Sequence, residues 1–240
     1  MSSNDLSSKA TEFIESVLSK KPKLAAFDCD GTLWSGDSGM AFFYWEIEQG
    51  LISKDVADWA IARYELYNEG TVDELTICGE MVQIHRGVNL AKIREAAKRF
   101  FDEHVEKNIF AEMKELTRRL AEQGCELWAV SSTNNWVVEV GAERFGIPAE
   151  RVLAATVAID GDCASDRLLR VPTDELKATA IQEVIGRPMD AVFGNSLHDL
   201  HMLEIARNAY AVNPNANLVP EAEHRGWTVY WPDSVRDSRA

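Results

Sequence analysis

Two carboxylates, Asp28 and Asp30, stand one residue apart at the end of the short apolar run Leu24 to Phe27. A run of this kind predicts a buried parallel strand. Packing gives such a strand no reason to end in two aspartates, whereas open α/β folds hold their ligands at the carboxyl ends of their strands. Neighbouring carboxylates repel each other unless a cation or a shared proton compensates. Mg²⁺, a hard cation that binds carboxylate and backbone oxygens, fits this role.

The spacing of the two aspartates also suits a reaction. Where a strand runs into a turn, Asp28 and Asp30 point to the same side, so that one can attack a substrate while the other transfers a proton. Gly31 permits a tight turn, and Thr32 adds a hydroxyl. An acidic turn or a calcium loop is the alternative interpretation. A calcium loop needs more oxygen ligands at alternate positions and a late glutamate, but here the chain continues with apolar residues.

Polar residues follow a second predicted strand, Glu126 to Val130. The next four residues are Ser131-Ser132-Thr133-Asn134, and their hydroxyls, together with the amides of a helix start, can receive phosphate oxygens. Serine, threonine and asparagine are equally common as helix caps, so both roles stay open at this point.

Two later segments add a cation and another carboxylate. Lys177 lies near the start of a helix, where a cation gains nothing from the helix dipole. It either reaches over the strand ends to neutralise a phosphate and an aspartate, or it is solvated. A third strand, Ala191 to Phe193, is followed by Asn195 and Asp199, a carbonyl donor and a carboxylate that a capped helix start would also explain.

The net charge of the chain limits the classes of partner that it can bind. It has 240 residues and a formal charge of −14 at pH 7. This balance argues against a nucleic-acid or anionic-membrane partner, since no basic stripe exists to displace counterions from phosphates. It does not exclude a phosphorylated small molecule, because a metal ion and a few placed cations can hold a phosphate. No apolar run approaches the length that spans a bilayer.

The amino terminus and the cysteines predict a cytoplasmic protein. Met1 to Asp5 lack the basic and apolar regions of a signal peptide. The cysteines are scattered without a Cys-x-x-Cys pair, which favours reduced thiols over a zinc site; they are Cys29, Cys78, Cys125 and Cys163. Nothing in the sequence indicates an oligomeric state.

The spacing of apolar residues predicts a helical part of the chain and a part in which strands and helices alternate. One amphipathic helix, with apolar residues from Leu6 to Leu18, precedes the first strand. About four helices and no strand are then expected up to Asn108, the third opened by a capping box at Thr71 to Glu74. From Ile109 onward, strands and helices alternate with short links.

This order predicts an α/β fold, a doubly wound and mostly parallel sheet with an inserted all-helical cap. The core would comprise residues 1–36 and 107–240, and the cap residues 37–106. After the strand Arg151 to Ile159, the turn Asp160-Gly161-Asp162 is expected to be irregular. The next element would be a helix from Thr173 to Ile185.

The four polar segments occur in the order of the motifs of the haloacid dehalogenase superfamily, and the sequence resembles its phosphatases. Those motifs are Asp-x-Asp-Gly-Thr, a Ser or Thr after the second strand, a Lys, and a Gly-Asp-Ser-x-x-Asp type segment. Here they are Asp28 to Thr32, Ser131, Lys177 and Gly194 to Asp199. The resemblance covers essentially the whole chain and points to the phosphoserine phosphatase-like branch, which has a Rossmann-like core and a helical cap.

The resemblance implies a role for each motif residue. Asp28 would be the nucleophile that attacks phosphorus and forms an aspartyl-phosphate. Asp30 would protonate the leaving alkoxide and then activate water. Ser131 would donate a hydrogen bond to a phosphoryl oxygen, while Lys177 would balance the charge of Asp28 and the transferred group.

The resemblance also implies Mg²⁺, held by Asp28, the backbone carbonyl of Asp30 and the side chain at position 195. Asp199 would complete the metal site by orienting a bound water or the lysine. Further substrate-binding candidates are Thr32, Ser132 and Asn134, together with Asp37.

In the branch that the sequence resembles, an acidic residue nine positions after the nucleophile faces the substrate and can pair with an amino group. Asp37 holds this position, which favours a small amine-bearing phosphomonoester, phosphoserine-like, as substrate. The alternative is that Asp37 caps the helix that follows. Arg63 and Arg86 could receive a substrate carboxylate, or be solvated.

One motif position departs from the family pattern. Position 195 is usually Asp, and here it is Asn, whose amide oxygen can bind Mg²⁺ but carries no formal charge. A phosphatase therefore remains the leading hypothesis. The alternatives are a phosphotransferase or phosphomutase of the same superfamily, and a weakly catalytic protein that binds a phosphorylated ligand. Haloacid dehalogenation is disfavoured, because those enzymes lack the second aspartate that Asp30 provides.

Overall fold

The structure, a computed structural model, describes residues 6–236. The prediction that no signal peptide begins at Met1 to Asp5 concerns residues outside this range. Within it, seven strands form one sheet: β1 (Leu24–Phe27), β2 (Glu126–Asn134), β3 (Val152–Asp160), β4 (Cys163–Arg170), β5 (Met189–Gly194), β6 (Ala206–Val212) and β7 (Thr228–Tyr230). Their order across the sheet is β4-β3-β2-β1-β5-β6-β7. Neighbouring strands are parallel except β3 and β4, so the predicted doubly wound sheet is confirmed.

Apolar side chains of β1 face both sides of the sheet. Ala25 and Phe27 belong to a buried cluster on one face, and Leu24 and Ala26 to a cluster on the other. A parallel strand can be apolar throughout because helices cover both faces. The covering helices are α1 (Ser8–Ser19), α6 (Ala111–Glu122), α7 (Asn135–Glu143), α8 (Glu175–Val184), α9 (Leu200–Glu204) and α10 (Leu218–His224), and a short α11 (Asp233–Arg236) follows β7.

Four helices fill the segment between β1 and α6, as the sequence predicts. They are α2 (Ser38–Glu48), α3 (Lys54–Asn68), α4 (Glu74–Gln83) and α5 (Leu90–Phe100), the last continuing through a π-helical turn at Phe101–Val105 and a 3₁₀ turn at Glu106–Asn108. The capping box at Thr71 is wrong. Asp73 caps α4 instead, because its side chain accepts a hydrogen bond from the Thr76 amide at 2.7 Å.

The chain enters and leaves this helical cap through two paired segments. The Ser35 amide donates to the Asn108 carbonyl, and the Phe110 amide donates to the Leu33 carbonyl, both at 3.0 Å. The two connections therefore act as one short ribbon between core and cap. The cap boundaries at 36/37 and 106/107 stay a prediction.

A strand that the sequence did not predict follows the expected turn at Asp160 to Asp162. Gly161, with φ of +58°, and Asp162 form the turn of a hairpin that joins β3 to the antiparallel edge strand β4. The sequence signal for β4 is weak because half of its residues are exposed, including Arg167 and Leu169, so apolar alternation is lost. The helix after it, α8, begins at Glu175 as predicted within two residues.

This hairpin also contacts the cap. The Gln83 side-chain amide donates to the Asp166 carbonyl at 2.6 Å, and the Gly87 amide donates to the Ala164 carbonyl at 2.8 Å. The Ala164 amide in turn donates to the Val88 carbonyl at 3.0 Å. The end of α4 is thereby tied to the sheet at a second place, far along the chain from the ribbon. Among residues 6–236, no helix has the length and apolar character needed to cross a bilayer.

A glycine in α7 sets how closely that helix approaches the loop after β1. A Cβ atom placed on Gly141 would lie 2.6 Å from the Trp34 ring and 2.7 Å from the Phe101 ring, both buried. We expect Gly141→Val to lower the free energy of unfolding by about 1–3 kcal/mol through overpacking. Helix propensity cannot account for such a loss, because valine forms helix slightly better than glycine.

Denaturant unfolding would measure this effect. Glu143→Val, at an exposed position of the same helix, is the matched control and should change stability by less than about 1 kcal/mol. Equal effects of the two variants would contradict the packing argument.

Candidate active site

The loop after β1 is held in one shape by backbone hydrogen bonds. The Asp28 amide donates to the Phe193 carbonyl at 2.9 Å, which extends the pairing with β5 beyond the end of β1. Gly31 then turns the chain with φ of +78°, a conformation that glycine adopts without steric cost, and its amide donates to the Trp34 carbonyl at 2.8 Å. The loop therefore presents Asp28 and Asp30 at the carboxyl edge of the sheet.

Lys177 joins two carboxylates from different elements. Its Nζ lies 2.8 Å from Asp28 Oδ1 and 2.6 Å from Asp199 Oδ1. The side chains of Lys177, Asp28 and Asp199 are only 3%, 7% and 0% exposed. The other oxygen of Asp28, Oδ2, accepts a hydrogen bond from the Thr32 hydroxyl at 2.9 Å. Because of its contacts with Asp28 and Asp199, Lys177 is buried in an ion-pair network and is not solvated.

Burial and charge act in opposite directions on this network. Burial by itself lowers the pKa of Lys177, but Asp199 and Asp28 more than offset it and raise that pKa, so the ammonium stays protonated. Burial, followed by the charge of Asp199, raises the pKa of Asp28 to about 7 against the opposing effect of Lys177. One ammonium therefore does not neutralise the carboxylates around it.

Asp30 has a separate set of partners. Its Oδ1 accepts hydrogen bonds from Trp34 Nε1 and from the Ser38 amide, both at 2.7 Å. Its Oδ2 accepts one from the Thr133 hydroxyl at 2.8 Å. These donors come from the loop after β1, the start of α2 and the end of β2. The carboxyl group is fixed beside Asp28 without touching Lys177.

Asp199 organises the loop that follows β5. Besides Lys177, it receives hydrogen bonds at Oδ2 from the Asn195 amide at 2.8 Å and the Ser196 amide at 3.0 Å. The chain approaches it closely at Gly194, where a Cβ atom would lie 2.6 Å from Asp199 Cβ. Asp199 therefore positions both the lysine and the backbone that carries Asn195.

The Asn195 side chain lies directly against the loop after β1. A Cβ atom on Gly31 would be 1.9 Å from Asn195 Nδ2, so only glycine leaves room for it. Asn213 and Asn215, which follow β6, support this arrangement. Asn213 Nδ2 donates to the Gly31 carbonyl at 3.1 Å, and the Asn215 amide donates to the Asn195 carbonyl at 2.8 Å.

The last four residues of β2, Ser131 to Asn134, make different contacts. The Ser131 side chain is buried and accepts a hydrogen bond from the Thr133 amide at 3.2 Å, while Thr133 bonds Asp30. Asn134 caps α7 by accepting from the Val137 amide at 3.1 Å, which is the structural alternative stated for it. Ser132 and Asn134 both line the cavity described next.

A cavity of about 120 Å³ separates these residues from the cap. Asp37, which caps α2 by accepting from the Met40 amide at 2.9 Å, lies at its edge. Burial, followed by the charge of Asp30, raises the pKa of Asp37 to about 6. The remaining wall comes from helices of the cap and from the end of β2: Gly39, Met40, Phe42, Phe43, Glu46, Tyr64, Tyr67, Glu74, Ile77, Cys78, Met81 and Ser132 to Asn134.

The two cap arginines lie elsewhere. Arg63 forms two hydrogen bonds with Glu80, each of 2.8 Å, and Arg86 pairs with Asp166 at 2.9 Å on the surface. Neither lines the cavity. The structure brings together Asp28, Asp30, Thr32, Asp37, Ser131 to Asn134, Lys177, Asn195 and Asp199, and keeps these two arginines apart from them.

Sequence reasoning missed several groups that hold this site. Trp34 and Ser38, which bond Asp30, carry no motif signal, because an indole reads as core and a backbone amide is independent of residue type. Asn213 and Asn215 could have been found as polar residues after a strand, the criterion that identified the others.

The donor set is compatible with Mg²⁺. Asp28, Asp30 and Asp199 carry three carboxylates against the single ammonium of Lys177, and the Asn195 amide stands beside the Gly31 turn. Residues 6–236 contain no group of three His, Cys, Asp or Glu side chains arranged to enclose a metal. Mg²⁺ does not require such a cage, because it keeps waters and binds through one or two carboxylates plus substrate phosphate.

A family model described as haloacid dehalogenase-like hydrolase matches residues 25–204, three quarters of the chain. The chain belongs to this family. The match spans every residue of the Lys177 network and the loop that carries Asn195. The family assignment confirms the resemblance inferred from the four motifs, and with it a hydrolase.

Relatives in this family carry phosphatase names. The chain is 25% identical to the histidinol-phosphatase of Neisseria meningitidis over 221 residues, 86% of this chain and 97% of that protein. It is 24% identical to phosphoserine phosphatase SerB1 of Mycobacterium tuberculosis over 219 residues, 85% of this chain and 69% of that protein. A Bordetella pertussis protein of unknown function has the same fold, with a TM-score of 0.76, 21% identity and coverage of 86% and 97%. These relatives support a phosphatase-like enzyme.

The contacts of Lys177 with Asp28 and Asp199 predict how its replacement changes the stability of the protein. Lys177→Met removes the cation and leaves two buried carboxylates uncompensated, which should cost about 3–5 kcal/mol of unfolding free energy at pH 7. Adding Asp199→Asn should restore part of the loss, because the amide oxygen can still accept from the Asn195 and Ser196 amides.

Denaturant unfolding of the single and double variants, with a chelator present, would measure both effects. A single variant as stable as the unaltered protein, or a double variant less stable than the single one, would contradict the charge-compensation argument.

Proposed function

We propose that this chain is a Mg²⁺-dependent phosphomonoesterase that acts through an aspartyl-phosphate on a small, amine-bearing phosphorylated metabolite. The observation that carries the proposal is the separation of two aspartates by environment. Asp28 is held by a lysine and a hydroxyl, whereas Asp30 is held by an indole, an amide and a hydroxyl. One carboxylate is thus equipped to attack and the other to exchange a proton.

In the first half-reaction, a carboxylate oxygen of Asp28 attacks phosphorus and the bond from phosphorus to the alcohol oxygen breaks. Asp30, in its protonated form, gives its proton to the leaving alkoxide. Lys177 contacts Asp28 throughout and offsets the negative charge that the phosphoryl group brings. The products are the free alcohol and the phosphorylated aspartate.

In the second half-reaction, water replaces the alcohol. Asp30, now ionised, takes a proton from the water as its oxygen attacks phosphorus, and the bond to Asp28 breaks. Inorganic phosphate leaves, while Asp30 is again protonated and Asp28 again ionised. The Ser131 hydroxyl and the backbone amides at the end of β2 would bind phosphoryl oxygens during both halves, a role supported by the burial of Ser131 beside Thr133.

The metal would be held by Asp28, the backbone carbonyl of Asp30 and the side chain of Asn195, with Asp199 in support. Mg²⁺ supplies charge neutralisation at the phosphoryl oxygens. Two relatives are named for histidinol phosphate and phosphoserine, which are phosphate esters of amine-bearing alcohols, and this supports Asp37 as the residue that meets the amino group.

Asn195 favours one alternative function. Without a formal charge at this position, metal affinity is lower, and the chain would then bind a phosphorylated ligand with little turnover. A phosphotransferase would use the same carboxylates and would transfer the group to an added alcohol without releasing phosphate.

Hydrolysis of p-nitrophenyl phosphate tests the mechanism. We expect Mg²⁺-dependent activity that a chelator removes and that Asp28→Asn abolishes, because the amide is a poor nucleophile. The matched control is Asp58→Asn on the exposed face of α3, which should keep full activity. Activity that survives Asp28→Asn would sink the aspartyl-phosphate mechanism.

Metal titration tests the role of Asn195. Asn195→Asp adds a charged ligand, and the Mg²⁺ concentration that gives half-maximal activity should fall by about tenfold, the size of one charge-assisted contact. Equally low turnover in both proteins, together with tight binding of a phosphorylated ligand, would instead favour the binding role.

A further inference from the structure

The cavity beside Asp37 adjoins the proposed site of phosphoryl transfer. It shares Ser132, Thr133 and Asn134 with the segment placed to bind phosphoryl oxygens, and Thr133 also contacts Asp30, the proposed proton donor. An alcohol oxygen that receives a proton from Asp30 therefore projects its carbon atoms into this space. The volume of about 120 Å³ admits only a small group.

The charged side chains that line this cavity are all acidic. Three carboxylates line it, on Asp37, Glu46 and Glu74, and no lysine or arginine within residues 6–236 does so. Glu46 is already paired, since its Oε2 lies 2.7 Å from His85 Nε2 in a buried contact. Asp37 and Glu74 form no ion pair with any residue in the part of the chain that the structure describes.

Glu74 is fixed in its orientation by neutral donors. The Tyr67 hydroxyl donates to Glu74 Oε2, and the Cys78 thiol donates to Oε1 at 3.5 Å. Tyr64 lines the same cavity. Burial raises the pKa of its phenol, and the negative charges of Asp37 and Glu74 raise that pKa further. Two carboxylates and two tyrosine rings thus surround the same space without a cation.

The arginines that could bind a carboxylate are engaged outside this cavity. Arg63 is held by both oxygens of Glu80, and Arg86 by Asp166. A substrate carboxylate would enter a site with two unpaired carboxylates and no basic partner, which like-charge repulsion opposes. An ammonium would find ionic partners and aromatic faces together.

We propose that the alcohol released by this enzyme is a small amine without a carboxylate, and that Asp37 and Glu74 bind its ammonium group. The inference rests on the proposed phosphatase function and narrows its substrate class. It favours phosphate esters of amino alcohols over those of hydroxy amino acids such as phosphoserine.

Three phosphate esters that differ by one group at a time test this selectivity. They are ethyl phosphate, O-phosphoethanolamine, which adds an amine, and O-phospho-L-serine, which adds a carboxylate to that. We expect kcat/KM for O-phosphoethanolamine to exceed both of the others by about tenfold or more, the size of one charge-assisted hydrogen bond. This comparison uses the unaltered protein, so it holds even where a variant fails to fold.

Two conservative variants locate the selectivity. Asp37→Asn keeps a good helix cap, and Glu74→Gln keeps the shape of the side chain. Each should lower the ratio of kcat/KM for O-phosphoethanolamine to that for ethyl phosphate by about tenfold. Glu65→Gln removes one charge from an exposed position of α3, outside the cavity, and should leave the ratio unchanged.

The outcomes separate the two proposals. Ethyl phosphate or phosphoserine hydrolysed as well as O-phosphoethanolamine, or a ratio unchanged in both cavity variants, would overturn the amine inference and leave the phosphatase intact. No hydrolysis of any ester, including p-nitrophenyl phosphate, would overturn the proposed function and this inference with it.

Discussion

The buried contact of Lys177 with Asp28 and Asp199 is the interaction on which the rest of the site depends. It joins the end of β1, the first turn of α8 and the loop after β5, so these three elements must meet in one register. Desolvating three charged groups costs several kcal/mol per ion, and their mutual attraction repays this only when geometry is good. Apolar residues of similar size often give the folded state equal or greater stability. We therefore infer that the network serves the proposed reaction, in which a protonated ammonium beside the Asp28 carboxylate would offset the charge of the transferred phosphoryl group.

Asp30 connects this chemistry to the cap. Its carboxyl group accepts from the Ser38 amide in the first turn of α2, and from the Trp34 indole, which packs at the surface of α7. A shift of α2 relative to the core would break the Ser38 contact and leave the carboxyl group held only by Trp34 and Thr133. Because the end of α4 is hydrogen-bonded to the hairpin of β3 and β4, such a shift involves the start of the cap more readily than α4. The orientation of Asp30, the proposed proton donor, is in this way coupled to the position of α2 in the cap.

The sequence predicts the fold and the motif residues well because their signals are local. The apolar run before Asp28 and the helical spacing in the cap each follow from neighbouring residues, and the structure has both. What the sequence does not predict depends on distant pairing. β4 is an exposed edge strand defined by its partner β3, and Arg63 is taken out of the cavity by Glu80, which is 17 residues away. That Asn134 caps α7 could not be known until the structure showed its side chain accepting from the Val137 amide.

The Asn at position 195 has a meaning in the charge balance of the site. In the proposed first half-reaction Asp30 is protonated, so the carboxylates of Asp28 and Asp199 exceed the ammonium of Lys177 by one negative charge, and a bound divalent cation would leave the site with one positive charge. An aspartate at 195 would bind that cation more strongly but would cancel this positive charge as a phosphate dianion approaches. The Coulomb attraction lost in a partly buried site amounts to a few kcal/mol, comparable to the gain from one more charged ligand. In the proposed mechanism, Asn195 would therefore lower the affinity for the metal and favour entry of the phosphate.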